Sequence, residues 1–152
     1  MKIELLADHP EAIPVIARWH WAEWGHYNPE GSFGLVLEKL SQRVHRERIP
    51  FAYLALQKEI PMGTASLVEL DMDTRKDLSP WLAGVYVDPA FRNRGVGSAL
   101  VQKVCEKAEQ LRFDELFLYT NTAYDLYKKL GWFAIEQEQY RGRLVSIMKY
   151  TF

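Results

Sequence analysis

Two arginines and two glycines fall within six residues, Arg92-Asn93-Arg94-Gly95-Val96-Gly97, in a chain whose formal charge is only −1. The apolar run Trp81 to Val87 precedes them, and Asp88-Pro89 stops it. From Val96, apolar residues recur at Val96, Leu100, Val104, Ala108 and Leu111, one face of a helix. A strand, a turn and a helix in that order leave the first helical N–H groups without internal partners. The helix dipole adds partial positive charge there. Glycine lets backbone approach a ligand with no Cβ in the way, and arginine brings fork-shaped donors. This chemistry suits a phosphate or pyrophosphate. The turn lacks the Gly-Lys-Ser/Thr ending of a Walker loop and the third glycine of a dinucleotide fingerprint. The plainer reading is a basic surface turn with an ordinary glycine cap.

Other reactive residues are sparse. Cys105 is the only cysteine, so neither an intrachain disulfide nor a cysteine-based zinc site is possible. It lies mid-helix with nothing nearby in sequence to activate it, which speaks against a covalent cysteine intermediate. No His spacing makes a metal motif. A dense aromatic cluster, Arg18 to Tyr27, reads RWHWAEWGHY. Its tryptophan faces and its carboxylate suit a cationic amine.

The elements around these residues follow from periodicity. Ile3 to Leu6 reads as a strand. Pro10 to Trp24 reads as a helix ended by Gly25, with Ile13, Ile16, Ala17 and Trp21 inward. Ser32 caps a second helix, with Leu35, Val36, Leu40 and Val44 inward. Phe51 to Leu56 and Met62 to Leu70 read as strands joined by a turn at Lys58-Glu59. Trp81 to Val87 reads as a central strand buried on both faces. Glu115 to Tyr119 is a strand with Leu116 and Leu118 on one side. Tyr124 to Leu130 is a short helix closed by Gly131. Phe133 to Glu138 and Leu144 to Tyr150 form a final strand pair. The class is mixed α/β (α+β).

Length and composition bound the rest. With 152 residues and 48% hydrophobic content, the chain suits one domain over 1–152. Its charge argues against nucleic acid and anionic membranes as partners. Met1-Lys2-Ile3-Glu4 does not read as a signal peptide, and no stretch is long enough to span a bilayer. One cysteine fits a reducing cytoplasm.

Arg92-x-x-Gly95-x-Gly97, between a strand and an amphipathic helix, resembles the acetyl-CoA-binding motif of the GCN5-related N-acetyltransferases (GNAT). A second segment, Leu118 to Phe133 (LYTNTAYDLYKKLGWF), resembles the family's later motif. In element order the resemblance covers most of the chain, and its specific part runs from Trp81 to Phe133. It implies a mixed central sheet splayed like a V, flanked by helices, with the pantetheine arm of acetyl-CoA in the opening.

The resemblance also implies roles. The backbone of Val85, Tyr86 and Val87 would bond the pantetheine arm. Backbone N–H groups of Arg92, Asn93, Arg94, Gly95, Val96, Gly97 and Ser98 would hold the pyrophosphate. Tyr127 matches the tyrosine that donates to the departing sulfur, with Tyr124 as its rival. A phenol titrates near ~10 and a thiol near ~8.5, so the expected help is a hydrogen bond. Many relatives place an asparagine seven residues before this tyrosine; here Thr120 stands there and Asn121 beside it, either able to touch the cofactor. Glu69 falls where several relatives place a base, with Asp71 two residues on. Trp24 and His26 would wall the acceptor site. No metal is implied. The implied reaction is direct attack of a primary amine, of a small molecule, on the thioester. Acetylation of a peptide N-terminus and a CoA-binding domain without activity are the alternatives. The final strand pair suggests, by analogy alone, a monomer or a homodimer.

Overall fold

The computed structural model describes all residues from Met1 to Phe152. The strands are β1 (Lys2–Leu5), β2 (Phe51–Gln57), β3 (Ile60–Val68), β4 (Trp81–Val87), β5 (Glu115–Thr120), β6 (Phe133–Tyr140) and β7 (Arg143–Thr151). The helices are α1 (Ile13–Trp24), α2 (Phe33–Gln42), α3 (Val96–Gln110) and α4 (Tyr124–Lys129). One seven-stranded sheet has the order β1-β2-β3-β4-β5-β7-β6. Every neighbouring pair is antiparallel except β4 and β5. A parallel pair needs a crossover, and α3 supplies it.

β4 and β5 pair at a single register position, Trp81 with Phe117, and then part. The cause lies in β4. Thr64 faces Tyr86, but Ser66 faces Ala83, so Gly84 and Val85 together oppose one residue of β3. This is a bulge, and it bends the strand that carries it. Gly84 takes a φ of +63°, a region that glycine enters without Cβ strain. The sheet therefore opens as a V from Gly84 onward. Trp81, Leu82 and Ala83 are buried, whereas Gly84 to Val87 are half-buried. The expectation of a strand buried on both faces holds only for its first half, because the gap lies beside the second.

The alternation of β5 separates the two faces. Leu116 and Leu118 join Leu100, Val104, Tyr127 and Trp132 in a core under α3 and α4. Phe117 packs instead with Trp81, Tyr140 and Ile147. The α3 face buries Val96, Leu100, Val104 and Ala108, as the periodicity predicts, and Val101 besides, while Leu111 lies half-buried at the helix end. Each large aliphatic there contributes roughly 1.5–3 kcal/mol of transfer free energy. The Lys58-Glu59 turn is also where the sequence puts it. Both residues take positive φ, 49° and 67°, as a two-residue hairpin demands.

Three expectations shift. α1 buries Ile16, Ala17 and His20, while Trp21 is 37% exposed. The inward stripe runs from Ile16 to the residue four on, which is His20. Ser32 does cap α2, its Oγ accepting from the Leu35 N–H at 3.1 Å. Leu35 nevertheless faces solvent, and Val44 lies beyond the helix in an isolated bridge to Phe51. The last two strands are longer than expected and turn tightly at Arg141-Gly142, both at positive φ.

His20 ties α1 to the bulge. Its Nε2–H donates to the Gly84 carbonyl at 3.1 Å. Burial first, and then the charge of Arg43, push its pKa down to about 3. Below about pH 6.5 the unfolded chain binds a proton that the folded chain refuses, so stability falls as pH falls toward 3. His20→Gln should flatten that slope by up to about 1.4 kcal/mol per pH unit between about pH 6 and pH 4. Urea midpoints at several pH values give the slopes, and equal slopes in both proteins would mean that folded His20 titrates normally.

Candidate active site

The divergence of β4 and β5 leaves a cavity of about 790 Å³, large enough for a substantial ligand. Its floor is β4 from Leu82 to Val87. One end reaches the turn before α3. There Asn93 and Gly95 take φ of +63° and +78°. No atom lies within 4 Å of where a Cβ on Gly95 would stand. Gly95 caps α3 without any side-chain bond. The N–H groups of Val96, Gly97 and Ser98 therefore point out of an uncapped helix end, and all three residues line the cavity. This is a seat for an anion at a positive dipole end.

The free edge of β4 faces the same space. The Asp88 N–H donates to Met62 O at 2.8 Å. By the alternation of an antiparallel pair, the N–H and C=O of Val87 then point away from β3, into the gap. Arg92 Nε donates to that carbonyl at 2.9 Å, so Val87 keeps its N–H available. Val85 and Val87 pack toward the α3 core. The ring of Tyr86 turns the other way, stacking on Trp19 at 5.4 Å and meeting Trp24 edge-on at 6.2 Å.

Across the gap stands α4. Tyr127 lines the cavity and is 7% exposed, its ring edge-on to Trp132 at 6.2 Å. Burial pushes its phenol up to about 12. Tyr124 is 37% exposed and does not line the cavity. Asn121 does line it. The start of α4 is tied by Thr120, whose Oγ1 accepts from the Ala123 N–H at 3.0 Å.

The other end of the cavity holds residues that no local pattern gathers. Trp24, Tyr27 and Asn28 wall it from the α1–α2 side, and Arg141 and Arg143 wall it from the β6–β7 turn. Arg143 bridges the two walls, its guanidinium 3.6 Å from the Tyr27 ring centre. Arg43, just after α2, donates from Nη1 to Ser66 Oγ at 3.1 Å. Asp71 lines the cavity close enough for Arg43 to pull its pKa down, although burial wins and raises it.

The structure does not bring every expected residue here. Glu69 is exposed and lies outside the lining, whereas Asp71, two residues on, is part of it. β3 ends at Val68, so side-chain alternation does not run on to position 69. His26 also lies outside the lining, its ring against Tyr27 at 3.9 Å. Arg94 turns away, over the Phe91 ring at 5.7 Å. Trp24, Arg92, Asn93, Gly95 to Ser98, Val85 to Val87, Asn121 and Tyr127 share the one cavity.

Comparisons with known proteins agree with this architecture. No curated protein matches the sequence. Among solved structures, an aminoglycoside 6'-acetyltransferase type Ii superposes with a TM-score of 0.77 at 16% identity, covering 99% of this chain and 97% of that one. An aminoglycoside 6'-N-acetyltransferase complexed with coenzyme A gives 0.78 at 13% identity, with coverages of 99% and 97%. A GNAT family acetyltransferase from Elizabethkingia anophelis with acetyl-CoA bound gives 0.59 at 18% identity, with coverages of 81% and 85%. At these identities the likeness is one of fold. The sequence model of the acetyltransferase (GNAT) family matches residues 13–132, most of the chain. With that match, and with a sheet that splays beside an uncapped, glycine-led helix, the chain belongs to the GNAT family of acetyltransferases.

Proposed function

We propose that this chain, as one domain over residues 1–152, moves the acetyl group of acetyl-CoA to a primary amine of a small molecule by direct attack. The observation that carries this reading is one cavity with three features. It joins an uncapped helix start, the free edge of β4 and a buried tyrosine opposite. Two of the similar structures hold coenzyme A or acetyl-CoA, and two act on aminoglycosides.

The residues fit such a co-substrate. The open space beside Gly95 admits phosphate to the N–H groups of Val96 to Ser98. When bound, acetyl-CoA supplies the acetyl group activated as a thioester. The Val87 N–H is the donor aimed into the gap for a developing oxyanion. Tyr127 holds its proton at Oη. From about 12 to a thiol near ~8.5, full transfer is uphill by roughly 5 kcal/mol. Its role is therefore a hydrogen bond to the departing sulfur.

The acceptor must lose a proton. A lysine-like amine is free at pH 7 about once in 2,500, a cost of roughly 4.6 kcal/mol. Asp71 is the carboxylate placed to receive that proton. Asp71→Asn should lower kcat/KM by about 10–100-fold, while Glu69→Gln stays within about threefold. Steady-state thiol release measures both, and the reverse ranking would restore Glu69 as the base.

The walls favour a small acceptor over a peptide. Arg143 over Tyr27 closes the acceptor end. Arg75 straps the loop after β3 to Glu136 at 2.7 Å and Glu138 at 2.9 Å. The net charge of −1 speaks against nucleic acid. No helix is long and apolar enough to cross a membrane. The free thiol of Cys105 accords with a cytoplasmic setting, and monomer and homodimer are both compatible with the site. The test is thiol release from acetyl-CoA across small amines and short peptides. Turnover confined to small amines supports the reading, and turnover confined to peptides sinks it.

A further inference from the structure

The acceptor end of the cavity is more positive than the molecule around it. Away from the turn before α3, its charged lining is Glu23, Lys39, Arg43, Asp71, Arg141 and Arg143. Four cations face two carboxylates, in a chain of net charge −1. Arg141 reaches Asp73 at 3.4 Å. Lys39, Arg43 and Arg143 have no carboxylate within the 4.0 Å of an ion pair.

Two of these cations are incompletely satisfied, and they come from unrelated elements. Arg43 is half-buried and makes one side-chain hydrogen bond, to Ser66 Oγ. A guanidinium has five N–H donors. Its Nη1 stands 3.1 Å from where a Cβ on Gly84 would be, beside the bulge that opens the sheet. Arg143 has a fully buried Nε with no hydrogen-bond partner. That nitrogen is closed to water and to a ligand alike, but the two Nη atoms of Arg143 have no hydrogen-bond or ion-pair partner and are not buried, and a desolvated cation is costly unless an anion meets it. The planar fork of arginine matches a carboxylate with two parallel bonds.

We infer that the acceptor bears a carboxylate as well as its amine: Asp71 faces the amine, and Arg43 and Arg143 hold the carboxylate. This rests on the acetyl-transfer reading and names its substrate class, small amino-acid-like molecules. It also sets the chain apart from the aminoglycoside acetyltransferases of similar fold. A polycationic acceptor would bring further ammonium groups against Arg43 and Arg143.

The experiment compares matched acceptors: amino acids, their C-terminal amides, spermidine and an aminoglycoside, with acetyl-CoA as donor. A second arm follows binding of N-acetylated acids and N-acetylated amides to the CoA-loaded protein by tryptophan fluorescence, since Trp24 lines the cavity. The acids should exceed their amides by about thirtyfold in kcat/KM, mainly through KM. In Arg143→Gln that ratio should fall below about threefold, and Arg143→Lys should recover part of it. Arg43→Gln, on a different element, is the second variant if Arg143→Gln loses its fold, and it should lower the ratio below about threefold as well. Turnover in which amides or polyamines match the acids overturns the carboxylate site and leaves acetyl transfer standing. No turnover, with acetylated acids still bound better than amides, sinks acetyl transfer and retains the carboxylate site. Absence of both turnover and preference overturns the inference.

Discussion

Replacing Tyr127 by phenylalanine should lower kcat by about 10²-fold, with the KM for acetyl-CoA changed less than about threefold. The substitution removes one oxygen from a ring that otherwise keeps its packing on Trp132. It touches no donor of the α3 N-terminus, so phosphate binding is spared. Tyr127 alone of the two tyrosines of α4 lines the gap beside the free edge of β4. Its raised pKa has a consequence for the pH profile. Burial holds the phenol protonated to about 12. No limb of kcat between about pH 6 and pH 10 should then come from Tyr127, and any limb there belongs to Asp71 or the amine. Unchanged kcat in the variant would remove Tyr127 from the chemistry and leave departure of the sulfur to water.

Gly84→Ala should be strongly damaging, because strain and crowding coincide there. At φ +63° an L-residue is strained, and the new Cβ would stand 2.7 Å from His20 Cε1 and 3.1 Å from Arg43 Nη1. His20 is buried and bonded to the Gly84 carbonyl, so it cannot retreat without losing that bond. The left-handed conformation costs about 1–2 kcal/mol, and overpacking a filled site adds about 1–3 kcal/mol. A loss of about 3 kcal/mol should lower Tm by roughly 10 °C for a chain of this size. At permissive temperature activity should also fall at least about tenfold, because the bulge sets where the Val87 N–H points. Gly142→Ala is the control for stability. It shares a positive φ, 81°, but meets nothing within 4 Å, so about 1–2 kcal/mol is expected. Equal Tm losses in the two variants would show that the contacts at Gly84 add nothing to backbone strain.

Part of this site is legible along the chain because its physics is local. A helix start is uncapped or capped within a few residues, and Gly95 is left-handed because of its own backbone. The strand, turn and helix from Trp81 to Gln110, the phase of α3, the turn at Lys58-Glu59 and the element order could all be read from spacing. Tyr127 is legible instead through the resemblance of the segment from Leu118 to Phe133 to the family's later motif.

Where the reading failed, the deciding distances ran between elements. Trp21 and His20 are neighbours on α1. Which one turns inward depends on how the helix rests against β2 and β4, which its own pattern of apolar residues does not resolve. Glu69 and Asp71 share a face only while a strand continues, and β3 stops at Val68. Arg43 and Arg143 are a hundred positions apart, yet one cavity joins them. By itself the sequence pointed to the family, to the glycine-led turn before α3 and to Tyr127 in the cavity wall, each carried by one short segment. Only the tertiary structure decided the far end of the cavity, because the bulge at Gly84 opens the sheet there and Asp71, Arg43 and Arg143 meet in its lining.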